Sequence, residues 1–230
     1  MEQQLEILND AAHRELRMRP DPGLPHPNFV MIVIGEFASA ASVCPIFLAK
    51  DAATGGFYAA ALFGFQSGEL LVEQNEAGRP VFQPLELQRQ GFYASGQNIA
   101  LDPAHPRFGP GATIALFDED GTPSNALRKM QRTIGLLAGG VEETNNFMKE
   151  ILRLGLVEPV DISLEFDDGQ RLSLDGLYTI SRDNLNELQD SDTIALFRRG
   201  YLQAAITMSI SLNQIDVLAR RRNNRLTARP

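Results

Sequence analysis

Three side chains able to do acid–base or ionic chemistry fall within six residues, at Asp102, His105 and Arg107. A carboxylate, an imidazole that titrates near neutrality and a permanent cation are the groups that an anion-binding or proton-transfer site uses. Pro103 and Pro106 stiffen the backbone between them, so the spacing predicts a rigid irregular loop that presents the three together. The same side chains have a structural use as well, bonding loop carbonyls or one another at the surface. Glu36 and Lys50 flank apolar strands and are candidates for a shared crevice, or for a structural ion pair. With the loop open to solvent, Arg107→Ala is expected to weaken binding of an anionic ligand and to move the melting temperature by only a few degrees.

Other chemistries find less to work with. No G-x-S-x-G elbow is present, and the three histidines lie scattered over loops and a weak N-terminal helix. Cys44 is the single cysteine, which excludes an intrachain disulfide, and beside an apolar strand it reads as an inert core thiol. Gly109-Pro110-Gly111 lacks the third glycine and the lysine of a phosphate-cradling loop. Asp118-Glu119-Asp120-Gly121 has the start of a calcium loop without its later ligands, and no histidine pair has metal-ligand spacing. The reading assigns no catalytic residue, no metal and no cofactor.

The elements that must position these residues centre on 29–73, where the densest apolar runs lie. Phe29–Ile34, Pro45–Ala49 and Phe57–Phe65 read as core strands, the last two forming a hairpin through the turn at 50–56, and Leu70–Glu73 as a short strand. Residues 1–17 read as a short helix from Leu5, Leu8, Ala12 and Leu16, followed by a proline-rich connector over 19–28. Further strands are expected at Ile99–Leu101 and Ala112–Phe117. Leu127, Met130, Ile134, Leu137 and Val141 recur at spacings of three and four, a helix with Thr122 as N-cap and Pro123 in its first turn. Gly139-Gly140 marks either a junction of two helices or a close approach by a neighbour. Val160, Ile162, Leu164 and Phe166 alternate with polar residues and turn at Asp167-Asp168-Gly169 into a second alternating strand, an antiparallel hairpin with one wet face. Helices follow at 183–188 and 192–199, a strand at Tyr201–Ile210, and a last helix opened by Ser211 and Gln214.

The chain has 230 residues, 43% of them apolar and 22% charged, with a net charge of −8. That is ordinary globular composition, and the negative balance argues against a broad nucleic-acid surface. Arg220, Arg221, Arg222, Arg225 and Arg229 lie in a final stretch without acids. It reads as a solvated end, or as a docking point for an acidic partner or membrane surface. Neither an N-terminal secretory pattern nor a membrane-spanning apolar run is visible, so a cytoplasmic location is expected, with surface association through a partner or signal-less export left open. The organisation expected is an N-terminal arm over 1–28, one α+β domain over 29–222 with a mostly antiparallel sheet and C-terminal helices, and a basic tail over 223–230.

Five stretches together resemble the bacterial SapC family: LNDAAHRELRMRP at 8–20, EFASAASVCPIFLAKDAATGGFYAAALFGFQSGELL at 36–71, DPAHPRFGPGATIALFDEDGTPS at 102–124, GLVEPVDISLEFDDGQRLSLDGLYTIS at 155–181, and GYLQA at 200–204. The similarity runs in order over nearly the whole chain. Many relatives have a His-Tyr pair where this chain has Val43-Cys44, and an Asn where it has Leu70. The resemblance implies no enzymatic role. The family name comes from a surface-array (S-layer) gene cluster, and relatives are often encoded near outer-membrane receptors and halogenase-like proteins. It therefore implies a binding or accessory protein linked to cell-surface or nutrient-uptake systems, with a protein partner or homo-oligomer. The alternative it leaves is an enzyme, or an enzyme's partner, acting on a peptide or small metabolite.

Overall fold

The computed structural model describes residues 4–20 and 26–227. In chain order the elements are β1 (Glu6–Ile7), α1 (Asp10–His13), β2 (Arg17–Met18), β3 (Phe29–Met31), α2 (Phe37–Ala41), β4 (Ile46–Lys50), β5 (Phe57–Leu62), α3 (Leu85–Gln88), β6 (Phe92–Ser95), β7 (Asn98–Leu101), β8 (Ile114–Ala115), α4 (Asn125–Arg153), β9 (Val157–Glu165), β10 (Arg171–Ile180), α5 (Arg182–Asn186), α6 (Asp190–Arg198), α7 (Tyr201–Ser211) and α8 (Gln214–Thr227). Single 3-10 turns occupy Ile34–Glu36 and Pro106–Phe108. The sheets are antiparallel and the helices gather in the C-terminal half, the α+β class that the sequence predicts.

The chain divides into two compact units, residues 1–25 with 85–139 and residues 26–84 with 140–230. In the first, β1, β7 and β6 form a three-stranded sheet and β2 pairs with β8. Its core is Met18, Phe92, Leu101, Leu116, Phe117, Leu127, Met130 and Ile134, so the first three residues of the helical stripe read from the sequence face this core; Leu137 is also buried, while Val141, the last of the stripe, is exposed. The expected helix over 1–17 shrinks to α1. Glu6 lies opposite Leu101 and Arg17 opposite Ala115, so backbone pairing with strands about 95 residues away overrides the helical spacing. The proline-rich connector lies partly outside the described residues. The cap of α4 is Ser124 and not Thr122: the Ser124 hydroxyl accepts from the Leu127 N–H at 3.2 Å, while the Thr122 hydroxyl is held by Asp120 at 2.8 Å.

The second unit holds a five-stranded sheet in the order β3-β5-β4-β10-β9. The predicted β4–β5 hairpin is present, with Leu48 opposite Ala59 and Lys50 opposite Phe57. So is the β9–β10 hairpin, with Leu164 opposite Leu172 and an irregularity between Leu174 and Leu177. The first strand stops at Met31, because the Glu36 carboxylate accepts from the Val33 N–H at 3.0 Å and winds the chain into the turn that leads to α2. No strand forms at Leu70–Glu73. Gly139-Gly140 does not split the helix: α4 runs unbroken for 29 residues.

The expected strand at Tyr201–Ile210 is helix α7. An apolar run of this kind satisfies either period, and here packing decides, with Tyr201, Ala204, Ala205, Met208 and Ser211 buried against α2, β4 and β10. Tyr201 and Phe37 each pack edge-on against Phe147 of α4, at 5.6 and 5.9 Å between ring centres. Ser211 belongs to the end of α7, where its hydroxyl donates to the Met208 carbonyl at 2.6 Å and accepts from the Ile46 N–H at 2.8 Å. The tail is ordered as α8 up to Thr227. The Arg222 guanidinium is buried against Gln170, pairs with Glu69 at 3.4 Å and lies 4.4 Å above the Phe166 ring. Arg221 donates to the Leu71 carbonyl at 3.0 Å, whereas Arg220 and Arg225 are exposed; Arg229 lies outside the described residues.

Candidate functional site

Asp102, His105 and Arg107 lie in one loop, where Asp102 and His105 bond to the loop's own backbone and Arg107 reaches out of it to α3. Asp102 Oδ1 accepts from the Ala104 N–H at 3.0 Å, and its carbonyl accepts from the His105 N–H at 3.0 Å. His105 Nδ1 accepts from the Arg107 N–H at 3.1 Å and so caps the turn Pro106–Phe108. An accepting Nδ1 requires a neutral ring with its proton on Nε2. Burial and then the nearby Arg107 cation lower the His105 pKa from its ordinary value, against an opposing pull from Asp102, which favours the neutral ring. Arg107 is 4% exposed, and one of its terminal nitrogens donates to the Gln88 carbonyl at 3.0 Å.

The loop therefore stands on Arg107, and the mild effect expected of an open loop does not apply. Arg107→Ala removes a buried donor from the Gln88 carbonyl and the aliphatic stem that fills the space, which should destabilise the protein by about 1–3 kcal/mol. Urea unfolding of the variant measures this directly. A midpoint equal to that of the parent protein contradicts the placement.

Glu36 and Lys50 take separate roles. The Glu36 carboxylate turns back on Val33, as above, and the residue is buried. The Lys50 ammonium lies 5.2 Å from the centre of the Phe57 ring and 5.1 Å from that of Tyr178, a cation held over two aromatic faces. Cys44 is buried, its thiol directed at the Ala40 carbonyl at 3.2 Å, and burial pushes its pKa up to about 12. A thiol in that state is no nucleophile at neutral pH. Among the described residues no group of three or more His, Cys, Asp or Glu lies together as a metal site would require.

A further polar cluster ties α4, α6 and α7. The Tyr201 hydroxyl donates to Glu143 at 2.7 Å, and burial with that bond raises the phenol to about 12. Glu150 pairs with Arg153 at 3.0 Å and Arg199 at 3.2 Å, and Arg153 reaches Asp192 at 3.1 Å. These groups satisfy one another and hold the helix ends in place.

Beside Lys50 lies an open cleft of about 340 Å³, lined by Met31, Asp51, Thr54, Gly56, Phe57, Tyr58 and Asn145. The β4–β5 turn builds its rim. Asp51 Oδ1 accepts from the N–H groups of Ala53 and Thr54 at 3.1 and 2.7 Å and from the Thr54 hydroxyl at 2.8 Å, an Asx turn that sets the loop. The Thr54 hydroxyl above all, with these N–H groups, holds the Asp51 carboxyl below its usual range, so it is ionised at neutral pH. Met31, Phe57 and Tyr58 supply apolar surface, and Asn145 reaches the cleft from α4. The sequence places Asp51, Thr54 and Gly56 in a connecting turn, Met31, Phe57 and Tyr58 in core strands and Asn145 in a helix, and assigns none of them to a site. The aromatic pair directly after an Asp-Thr-Gly turn was the available signal, while nothing local links Met31 or Asn145 to it.

The sequence model of the SapC family matches residues 8–218 of the chain. The chain belongs to the SapC family. No curated protein and no solved structure gives a significant match. The SapC-like stretch 36–71 contains Asp51, Thr54, Gly56, Phe57 and Tyr58, and the matched span contains the whole cleft as well as the Asp102–Arg107 loop. Among the described residues of this SapC chain, no helix is long and apolar enough to cross a membrane.

Proposed function

We propose that this SapC-family chain is a non-enzymatic binding or accessory protein whose ligand seats in the cleft beside Lys50, in the service of a cell-surface or nutrient-uptake system. The observation that carries the proposal is the cleft's composition. Apolar side chains (Met31, Phe57, Tyr58) and the amide of Asn145 converge there, while the one carboxylate, Asp51, and the Thr54 hydroxyl that donates to it are occupied in shaping the turn. Ligand sites combine apolar walls with a few placed polar groups, and about 340 Å³ lies at the small end of their usual range. That suits a short peptide segment, one apolar side chain against the aromatic rings and a backbone amide toward Asn145. The tie to cell-surface or uptake systems is what membership of the family implies.

The test is ligand-observed NMR with a mixture of short capped peptides, run on the parent protein and on Tyr58→Ala and Asn145→Ala. The expected result is saturable binding by the parent protein that each substitution weakens by about tenfold, the loss of roughly 1.4 kcal/mol of contact. Binding that both variants keep unchanged, or none at millimolar peptide, refutes the proposal.

A further inference from the structure

The loop at 102–108 holds two neighbouring elements of its unit. The Arg107 guanidinium bonds the Gln88 carbonyl at the end of α3, and the Arg107 carbonyl accepts from the Arg19 N–H, just past β2, at 2.7 Å. His105 closes the turn between these contacts. Its Nδ1 accepts from the Arg107 N–H, and its carbonyl accepts from the Phe108 N–H at 2.9 Å. The ring lies against Gly91, where a Cβ atom would come 3.0 Å from Nδ1 and 3.2 Å from Cγ. Both hydrogen bonds of the turn therefore pass through one titratable residue.

We infer that residues 102–108 form an acid-sensitive latch, in which proton uptake by His105 removes the cap of the Pro106–Phe108 turn and loosens the loop's hold on α3 and β2. A histidinium has no lone pair on either ring nitrogen. Protonation sets an N–H of the ring against the N–H of Arg107, and a second cation beside a guanidinium that is 4% exposed. Within the loop, Arg107 opposes the proton and Asp102 favours it. Gly91, packed on the ring, is uncharged, and β6 contributes Phe92, edge-on to Phe108 at 5.2 Å. Helix α3 carries Glu86, closed on Arg89 at 2.8 Å, while β2 brings the cations Arg17 and, one residue beyond its end, Arg19. The closed loop thus favours the neutral ring, and the open loop binds the proton more tightly. Closure is strongest above pH 6.5, the ordinary imidazole value. It weakens as the pH falls from there to the lower value of the closed loop, and changes no further below it. The cleft, built from residues of the other unit, takes no part.

Amide hydrogen exchange of the full chain, followed by NMR at about pH 7.5 and about pH 5, reads the latch directly. After correction for the intrinsic pH dependence of exchange, protection at the Arg107, Phe108 and Arg19 N–H groups should fall in acid. The fall should be about tenfold for each pH unit between the open-loop and closed-loop values of the ring. The Ile46 N–H, held by Ser211 in the other unit, should keep its protection. His105→Asn supplies an amide oxygen at the capping position and cannot titrate, so it should keep the protection seen at neutral pH and abolish the loss in acid. Should that variant misfold, the His105 ring protons of the parent protein report the same property, and should titrate below 6.5. Equal protection at the two pH values, an acid loss that His105→Asn leaves in place, or a ring that titrates at 6.5 or above overturns the inference.

Discussion

Gly64→Ala should destabilise the protein by about 3 kcal/mol or more, the largest single effect expected of so small a change. Gly64 follows β5, where the chain folds back on itself. A methyl group there would overlap the Glu69 carbonyl oxygen and come within 2.8 Å of its carbon. Backbone, unlike the end of a flexible side chain, has little room to yield. The turn cannot open without further losses. The Glu69 carboxylate accepts from the Phe65 N–H at 2.9 Å and pairs with the buried Arg222, so moving Glu69 leaves a buried guanidinium poorly matched. Differential scanning calorimetry and urea unfolding would both register the change. A variant with parental stability shows that the 64–69 segment is not packed as described.

The two adjacent glycines of α4 should respond in opposite directions. A methyl group on Gly139 meets nothing within 4 Å, so Gly139→Ala gains helix propensity alone and should stabilise by about 0.5–1 kcal/mol. On Gly140 the same methyl group falls 2.5 and 2.8 Å from Cγ2 and Cβ of Val33. Val33 is stiff about χ1, and its backbone is held by the Glu36 carboxylate. The next residue is held too: the Ile34 N–H donates to Thr144 Oγ1 at 2.8 Å, and that hydroxyl donates to the Gly140 carbonyl at 2.7 Å. Gly140→Ala should therefore lose about 1–3 kcal/mol to overpacking, only partly offset by propensity. Unfolding midpoints of the two variants, measured side by side, should bracket the parent. Both shifting the same way refutes the close approach of Val33 to the helix.

These cases show which features are legible in a single sequence. The β9–β10 hairpin and the first half of α4 are clear because polar and apolar residues alternate at one period and no other. Tyr201–Ser211 fails for the converse reason: with no charge to mark a wet face, its period is ambiguous, and the burial of Ala204, Ala205 and Met208 against α2 and the sheet settles it. Strands β1 and β2 are two residues each and exist only through partners far along the chain, which no local pattern announces. Gly139-Gly140 signals a close approach without saying which glycine makes it.

The candidate sites divide along the same line. Asp102, His105 and Arg107 are conspicuous by type and spacing, yet their use depends on the Gln88 carbonyl, a tertiary fact. The tail arginines look alike in sequence, while Arg222 is buried through Glu69, Phe166 and Gln170 and Arg225 is exposed. The cleft joins an Asx turn, two neighbouring aromatics, Met31 and Asn145, a set assembled only by folding.

On the proposed function, ligands meet this SapC chain at the β4–β5 turn and not at the histidine loop. A titration of isotope-labelled protein with the capped-peptide mixture, followed by amide chemical shifts, tests it most directly. Saturable shifts are expected at Asp51, Thr54, Gly56, Phe57, Tyr58 and Asn145, with Asp102, His105 and Arg107 unmoved. Shifts confined to residues 102–107 would contradict it.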